Sequence, residues 1–226
     1  METLKPTDAD DLCQIISDAA ANGNKLELRG GGTKAAFGAQ REATIVSMTS
    51  ISGVVDYDPA ELVLTVRPGT PLAEVKALVA AESQMLAFEP WGGTASTIGG
   101  IVAAGVAGSR RVTAGSARDH LLGFRAVSGR GEEFVAGAKV VKNVTGYDLP
   151  KLMAGSWGRI GAMTELTLKI LPAPRVSVTL AAYGLSPHAA HAVMAAALGS
   201  NAEVSAAAHL SRGITLLRVA GFAKSV

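Results

Sequence analysis

Leu12, Ile15, Ile16 and Ala19 recur at helical spacing, behind Thr7, Asp8, Asp10 and Asp11 and ahead of Asn22–Gly23. That pattern predicts an amphipathic helix with an acidic, capped start and a glycine stop. KLELR, from Lys25 to Arg29, alternates as a strand, and ATIVSM at 43–48 reads as a second one. Leu62, Leu64 and Val66 alternate into Arg67–Pro68–Gly69, a turn. Thr70 is then expected to cap a helix with Pro71 at its first position and Leu72, Val75, Leu78 and Val79 on one face. Asp56, Tyr57 and Asp58, ahead of Pro59, read as a turn rather than a carboxylate pair.

The pattern then changes. Residues 91–120 are rich in Gly, Ala, Ser and Thr and carry no clear period. HLLGFRAVSGRGEEFVAG at 120–137 predicts a strand, a Ser-Gly-Arg-Gly turn and a returning strand. A brief helix follows at Leu149–Met153, then an alternating strand at Met163–Ile170 ended by Pro172 and Pro174. VSVTLAAYGL, PHAAHAVMAAALG and ITLLRVAG make a closing β–α–β pattern, which places a boundary near residue 174 and marks the last segment as an incomplete domain. Strands and helices mix irregularly, so the fold class is α+β rather than a regular doubly wound sheet.

Composition narrows the function. Apolar residues are 48% and charged ones 18%, a globular balance. Aromatics at 4% and a net charge of +2 with dispersed Lys and Arg argue against nucleic acid as a partner. Cys13 is the only cysteine, so this chain cannot build a disulfide, an iron–sulfur cluster or a cysteine zinc site. The acidic, amphipathic start does not read as a secretory leader, and TIGGIVAAGVAG at 97–108 is too short and glycine-rich for a transmembrane segment. The expectation is a soluble, cytoplasmic protein, meeting a membrane only through partners. His188 and His191 are one helical turn apart but lack a third ligand, so no metal site is expected.

Gly30, Gly31 and Gly32 end the first strand, and three glycines in a row lose much backbone entropy on folding. Two readings stand: a tight turn, or a nest of N–H groups for phosphate with Lys34 adding charge. The run matches neither the G-x-x-x-x-G-K-[ST] loop nor the dinucleotide fingerprint. The second small-residue region shifts the balance. Thr94, Ser96, Thr97, Ser109, Thr113 and Ser116 offer hydroxyls without an apolar pattern, which suits a long anionic ligand lying across two loops. No G-x-S-x-G elbow is present, which disfavours a serine hydrolase.

Five motifs occur in order: RGGGT (29–33), VRPGTPLAEV (66–75), STIGGIVA (96–103), GSARDHLLGFRAV (115–127) and GYDLPKLMAGSWGRIGAMTELTLKI (146–170). The series resembles the FAD-binding domain of the vanillyl-alcohol-oxidase (PCMH) type, shared by D-lactate dehydrogenases and glycolate oxidase subunits. KNVTGYDLPKL and the short, Ala-rich form most resemble the FAD-binding subunits of bacterial glycolate oxidase.

The resemblance implies two α+β subdomains, about 1–50 and 51–174, clamping an extended FAD, with 175–226 a partial α+β cap. It assigns Gly30, Gly31, Gly32, Thr33, Lys34, Ala35 and Ala36 to the pyrophosphate and counts Arg29 among the cofactor-binding residues. Pro90, Trp91, Gly92, Ser96, Thr97, Ile98, Gly99 and Gly100 would continue along the cofactor, as would Gly115, Ser116, Ala117, Arg118 and Asp119. Gly158, Ile160, Gly161 and Thr164 would meet its other side, Ile160 through its backbone. Thr33 stands where covalent relatives carry histidine, so the flavin is expected to be non-covalent. Ala114–Gly115 replaces a frequent Tyr-Gly, and Trp157 stands where some relatives carry a carboxylate.

By the same resemblance the activity is oxidation of a small 2-hydroxy acid such as glycolate, with no catalytic base assignable in this chain. The partners implied are a larger flavin subunit and an iron–sulfur subunit. The competing expectation is a non-catalytic cofactor-holding or assembly module of such a complex.

Overall fold

The computed structural model describes residues 3–37, 42–137 and 146–226. The N-terminal layer holds β1 (Thr3–Leu4), α1 (Ala9–Asn22), β2 (Leu26–Arg29) and β3 (Thr44–Ser47), with the parallel strand order β1-β3-β2. Asp8 caps α1 by accepting the Asp11 N–H at 2.9 Å, and Gly23 at φ 68° ends it. Leu12 and Ile16 face Val46, Met48 and Ile51, together with Val127 and Ala162 from the next layer. One apolar stripe therefore joins the two layers.

Chain order continues with β4 (Val54–Asp58), β5 (Val63–Val66), α2 (Leu72–Ala81), β6 (Gln84–Met85) and α3 (Ile98–Ala104). Two one-turn helices follow, α4 (Arg111–Ala114) and α5 (Ala117–His120), and then β7 (Leu121–Val127), β8 (Glu133–Gly137), α6 (Leu149–Met153), β9 (Ala162–Lys169) and β10 (Leu171–Pro172). Five strands form an antiparallel sheet in the order β4-β5-β9-β7-β8. Leu64, Val66, Leu166 and Leu168 belong to the same buried core as Val75 and Val79 of α2, Ile98 and Ile101 of α3, and Phe88. A third sheet contains β11 (Val176–Tyr183), β12 (Val204–Leu210) and β13 (Ile214–Gly221), in the order β11-β13-β12, with α7 (Pro187–Leu198) against β12 and β13. Strand and helix thus mix as an α+β fold.

Three local expectations change. The N-cap of α2 is Pro71, not Thr70. Thr70 is fully buried and its hydroxyl accepts the Gly53 N–H at 2.9 Å and donates to the Arg67 carbonyl at 2.7 Å, so it fastens a turn instead. Asp56 and Tyr57 are not in a turn. They pair with Thr65 and Leu64 in β4, and the turn begins at Asp58, whose carboxylate accepts the Ala60 and Glu61 N–H groups. The closing pattern is β–α–β–β, because Ala- and Ser-rich β12 adds a strand with weak intrinsic preference, held by its ladder to β13. Lys142 to Thr145, in the motif KNVTGYDLPKL, lie outside the described residues.

Candidate functional site

Three loops gather around β2 and α3. The first leaves β2 at Gly30 and runs to Phe37; the second precedes α3, from Pro90 to Thr97; the third follows α6, from Gly155 to Ile160. Thr33 and Ser96 share a hydroxyl hydrogen bond of 3.0 Å across the first two. A Cβ on Gly31 would overlap the Ala95 carbonyl, and one on Gly30 would overlap the Thr97 hydroxyl. The second loop thus gives Gly30 and Gly31 a packing reason to lack a Cβ.

The donors of the first loop remain. Among the described residues, no acceptor meets the backbone N–H groups of Gly31, Gly32, Thr33 and Lys34, whereas the Ala35 and Phe37 N–H groups close turns onto Gly32 and Lys34. Gly32 takes φ 68°, the left-handed conformation that curls such a run into a concavity. The Lys34 ammonium sits at the seam, 3.4 Å from the Thr33 hydroxyl, 3.5 Å from the Trp91 carbonyl and 5.1 Å from the Trp91 ring centre. Partial burial lowers its pKa, and no carboxylate among the described residues offsets its charge.

The third loop is anchored to α3 and β2. The Gly155 and Trp157 N–H groups donate to the Val102 and Ala103 carbonyls at 3.1 and 2.8 Å, and Gly158 lies against Leu28. Trp157 holds φ 57°, and its ring and Ile160 stay exposed. Between Gly155 and Trp157 in the chain is a residue the sequence did not single out. The Ser156 hydroxyl is buried and has no hydrogen-bond partner among the described residues. Only a small hydroxylated residue among glycines signals it, a weak mark.

Other expected contacts are engaged by the fold. The Ile98 and Gly99 N–H groups donate to the Thr70 and Pro68 carbonyls at 2.9 Å each. Thr97 caps α3 by accepting the Gly100 N–H at 3.3 Å. Thr164 is buried in β9, Gly161 fits against Val127 and Phe134, and Pro90 is buried with its carbonyl accepting from Lys76. Arg29 pairs with Glu27 at 2.6 Å. Gly115–Asp119 forms a tight corner at the start of α5: Gly115 takes φ 82°, and Ser116 and Asp119 form a reciprocal cap. Ala117 is buried there, while the Asp119 carboxylate accepts the Ser116 N–H and hydroxyl at 2.8 and 2.9 Å, bonds that lower its pKa. Gly92 stands beside Ser96 and Lys34, and Ala36 is exposed at the end of the loop.

Among the described residues, the seam therefore offers N–H donors without acceptors and an ammonium without a carboxylate, the chemistry of an anion-binding loop in an α+β fold. Residues 3–137 match the FAD binding domain family, and the chain belongs to that family. FAD is thus its cofactor. It is 42% identical over 170 residues to "Glycolate oxidase subunit GlcE" of Escherichia coli (strain K12), covering 75% of this chain and 49% of that protein. It is 36% identical over 137 residues to a D-lactate dehydrogenase of Anaerostipes hadrus, covering 60% of this chain and 28% of the relative. The chain spans about half the length, or less, of these curated relatives. The solved structure of an alkyldihydroxyacetonephosphate synthase superposes with a TM-score of 0.76 over 99% of this chain and 48% of its own, at 18% identity, a likeness of fold. The fold is therefore the α+β FAD-binding type expected from the five motifs.

Fit to the cofactor can be read from the seam itself. A diphosphate needs clustered N–H donors and a cation. Gly31 to Lys34 supply both within one loop. Among the described residues, no helix is long and apolar enough to cross a membrane.

Proposed function

We propose that this chain holds FAD non-covalently, its diphosphate on the seam between the first two loops, as the flavin-carrying part of a complex that oxidises a small 2-hydroxy acid. The single observation carrying this reading is Lys34: among the described residues it is a partly buried ammonium without a carboxylate, in a loop with four unengaged backbone donors. Gly31 to Ala36 bind the diphosphate, Trp91 to Ser96 wall its far side, and Gly158 and Ile160 present backbone to the remainder of the cofactor. Residues 1–174 form the flavin domain and 175–226 part of a cap over it. Glycolate is the substrate indicated by the names of relatives, which include a "Glycolate oxidase subunit GlcD" of Bacillus subtilis (strain 168), 28% identical over 181 residues.

Bound flavin supplies the two-electron acceptor that side chains lack. This chain's own part is binding and orientation: Lys34 neutralises phosphate charge, and the Trp91 and Trp157 rings flank the seam. A single cysteine leaves no iron–sulfur route within it, so electrons pass to partners, a larger flavin subunit and an iron–sulfur subunit. The test is the visible spectrum of the purified chain, before and after added FAD. Flavin bands near one per chain are expected. A colourless protein that takes up no FAD refutes the reading and leaves an assembly module in its place.

A further inference from the structure

A second concavity shares no lining residue with the three seam loops. Arg111 of α4, Gly115, Ser116, Arg118 and Asp119 around α5, and Lys151 of α6 line a polar pocket of about 340 Å3. That volume falls within the ~300–1,000 Å3 typical of small-molecule sites. Three cations and one carboxylate face it. The Asp119 carboxylate is turned onto the Ser116 N–H and hydroxyl. Outside the lining, the Asp148 carboxylate accepts the Lys151 N–H at 3.3 Å and lies 2.7 Å from the Lys151 ammonium, and it also feels the charge of Arg118. His120 is buried behind the wall, its ring held between the Ala114 and Lys169 carbonyls. Arg111 and Arg118 have neither an ion pair nor a side-chain hydrogen bond among the described residues.

Two guanidiniums on separate helices thus converge on one cavity with their donors unengaged. Each is a planar fork that can take two oxygens of one carboxylate or phosphate at once. We propose that this pocket is a binding site for small oxyanions, carboxylate or phosphate, separate from the flavin seam, with Arg111 and Arg118 as the forks and Lys151 as the third charge. The Ser116–Asp119 cap holds the backbone turn that carries Arg118, and the Asp148–Lys151 pair holds the Lys151 ammonium. Removing Lys151 would also release the Asp148 carboxylate to repel an anion.

Oxalate is the probe, titrated calorimetrically into the purified chain without FAD and again with saturating FAD. One oxalate per chain is expected in both states, weakening as salt rises. Arg111→Gln and Lys151→Gln should each lower its affinity about tenfold or more, Lys151→Arg should restore it, and FAD affinity should not change. Inorganic phosphate is expected to displace oxalate from the same pocket. Absence of oxalate binding, or unaffected variants, would overturn the proposal. So would loss of oxalate binding on FAD addition, which would make the pocket part of the flavin site. A chain that binds oxalate but no FAD would refute the flavin reading and leave this one standing.

Discussion

Arg218→Gln tests how the last sheet is held to the flavin domain. The Arg218 guanidinium lies 2.8 and 2.9 Å from the two Glu89 carboxylate oxygens, while its Nε donates to the Ser205 hydroxyl at 3.0 Å. Glu89 also accepts the Arg110 N–H at 3.1 Å and its Nε–H at 3.3 Å, and immediately precedes Pro90 and Trp91 of the seam. Both side chains are about three-quarters covered, 24% and 25% exposed, so the pair lies between the solvent-exposed and buried limits. Exposed pairs contribute ~0.2–1 kcal/mol, and charge-assisted hydrogen bonds ~1.5–3 kcal/mol. The geometry supports about 2 kcal/mol. For a chain of this length that is a fall in Tm of about 4–8 °C. The assay is thermal unfolding of wild type, Arg218→Gln, Glu89→Gln and the double variant, with a coupling of about 1–2 kcal/mol expected. Acidity gives the sign. Burial raises the Glu89 pKa, but bonds and charge from Arg218 and Arg110 outweigh it and hold it below the usual carboxylate range. An unfolded Glu titrates near ~4.3, so the contribution is full above that value and lost as pH falls through the lower folded one. A Tm within about 1 °C of wild type, or a difference that persists unchanged into acid, would refute the reasoning.

Three further outcomes follow from the seam. Gly31→Val would drive a side chain into the Ala95 carbonyl, so the flavin-to-protein absorbance ratio should collapse; wild-type retention would break the link between the two loops and the cofactor. Lys34→Met should weaken FAD binding about tenfold. In wild type the affinity should fall as pH rises through the Lys34 pKa, which burial holds below that of a free lysine, and an equal profile in the variant would remove Lys34 from the site. Acid precipitation should leave all flavin in the supernatant, Thr33 offering no histidyl attachment; a coloured pellet would refute this.

The elements were legible because their information is local. The stripe of Leu12 and Ile16, the alternation from Leu64 to Val66 and the punctuation around Leu149–Met153 each lie within a few residues, where helical or strand periodicity alone decides the outcome. Gly30 and Gly31 announced a missing Cβ, yet nothing near them in the chain says what stands in its place. The answer lies across a contact such as Thr33 to Ser96, 63 residues away. Glu89 with Arg218, and Arg111 and Arg118 with Lys151, are likewise assembled by sheet order and helix docking, as is β12, whose Ala-rich sequence has no strong preference of its own. Backbone preference acts over one or two turns. Which charged or bare positions come together depends on how layers close over the core, a free energy shared by distant residues and written in no single stretch.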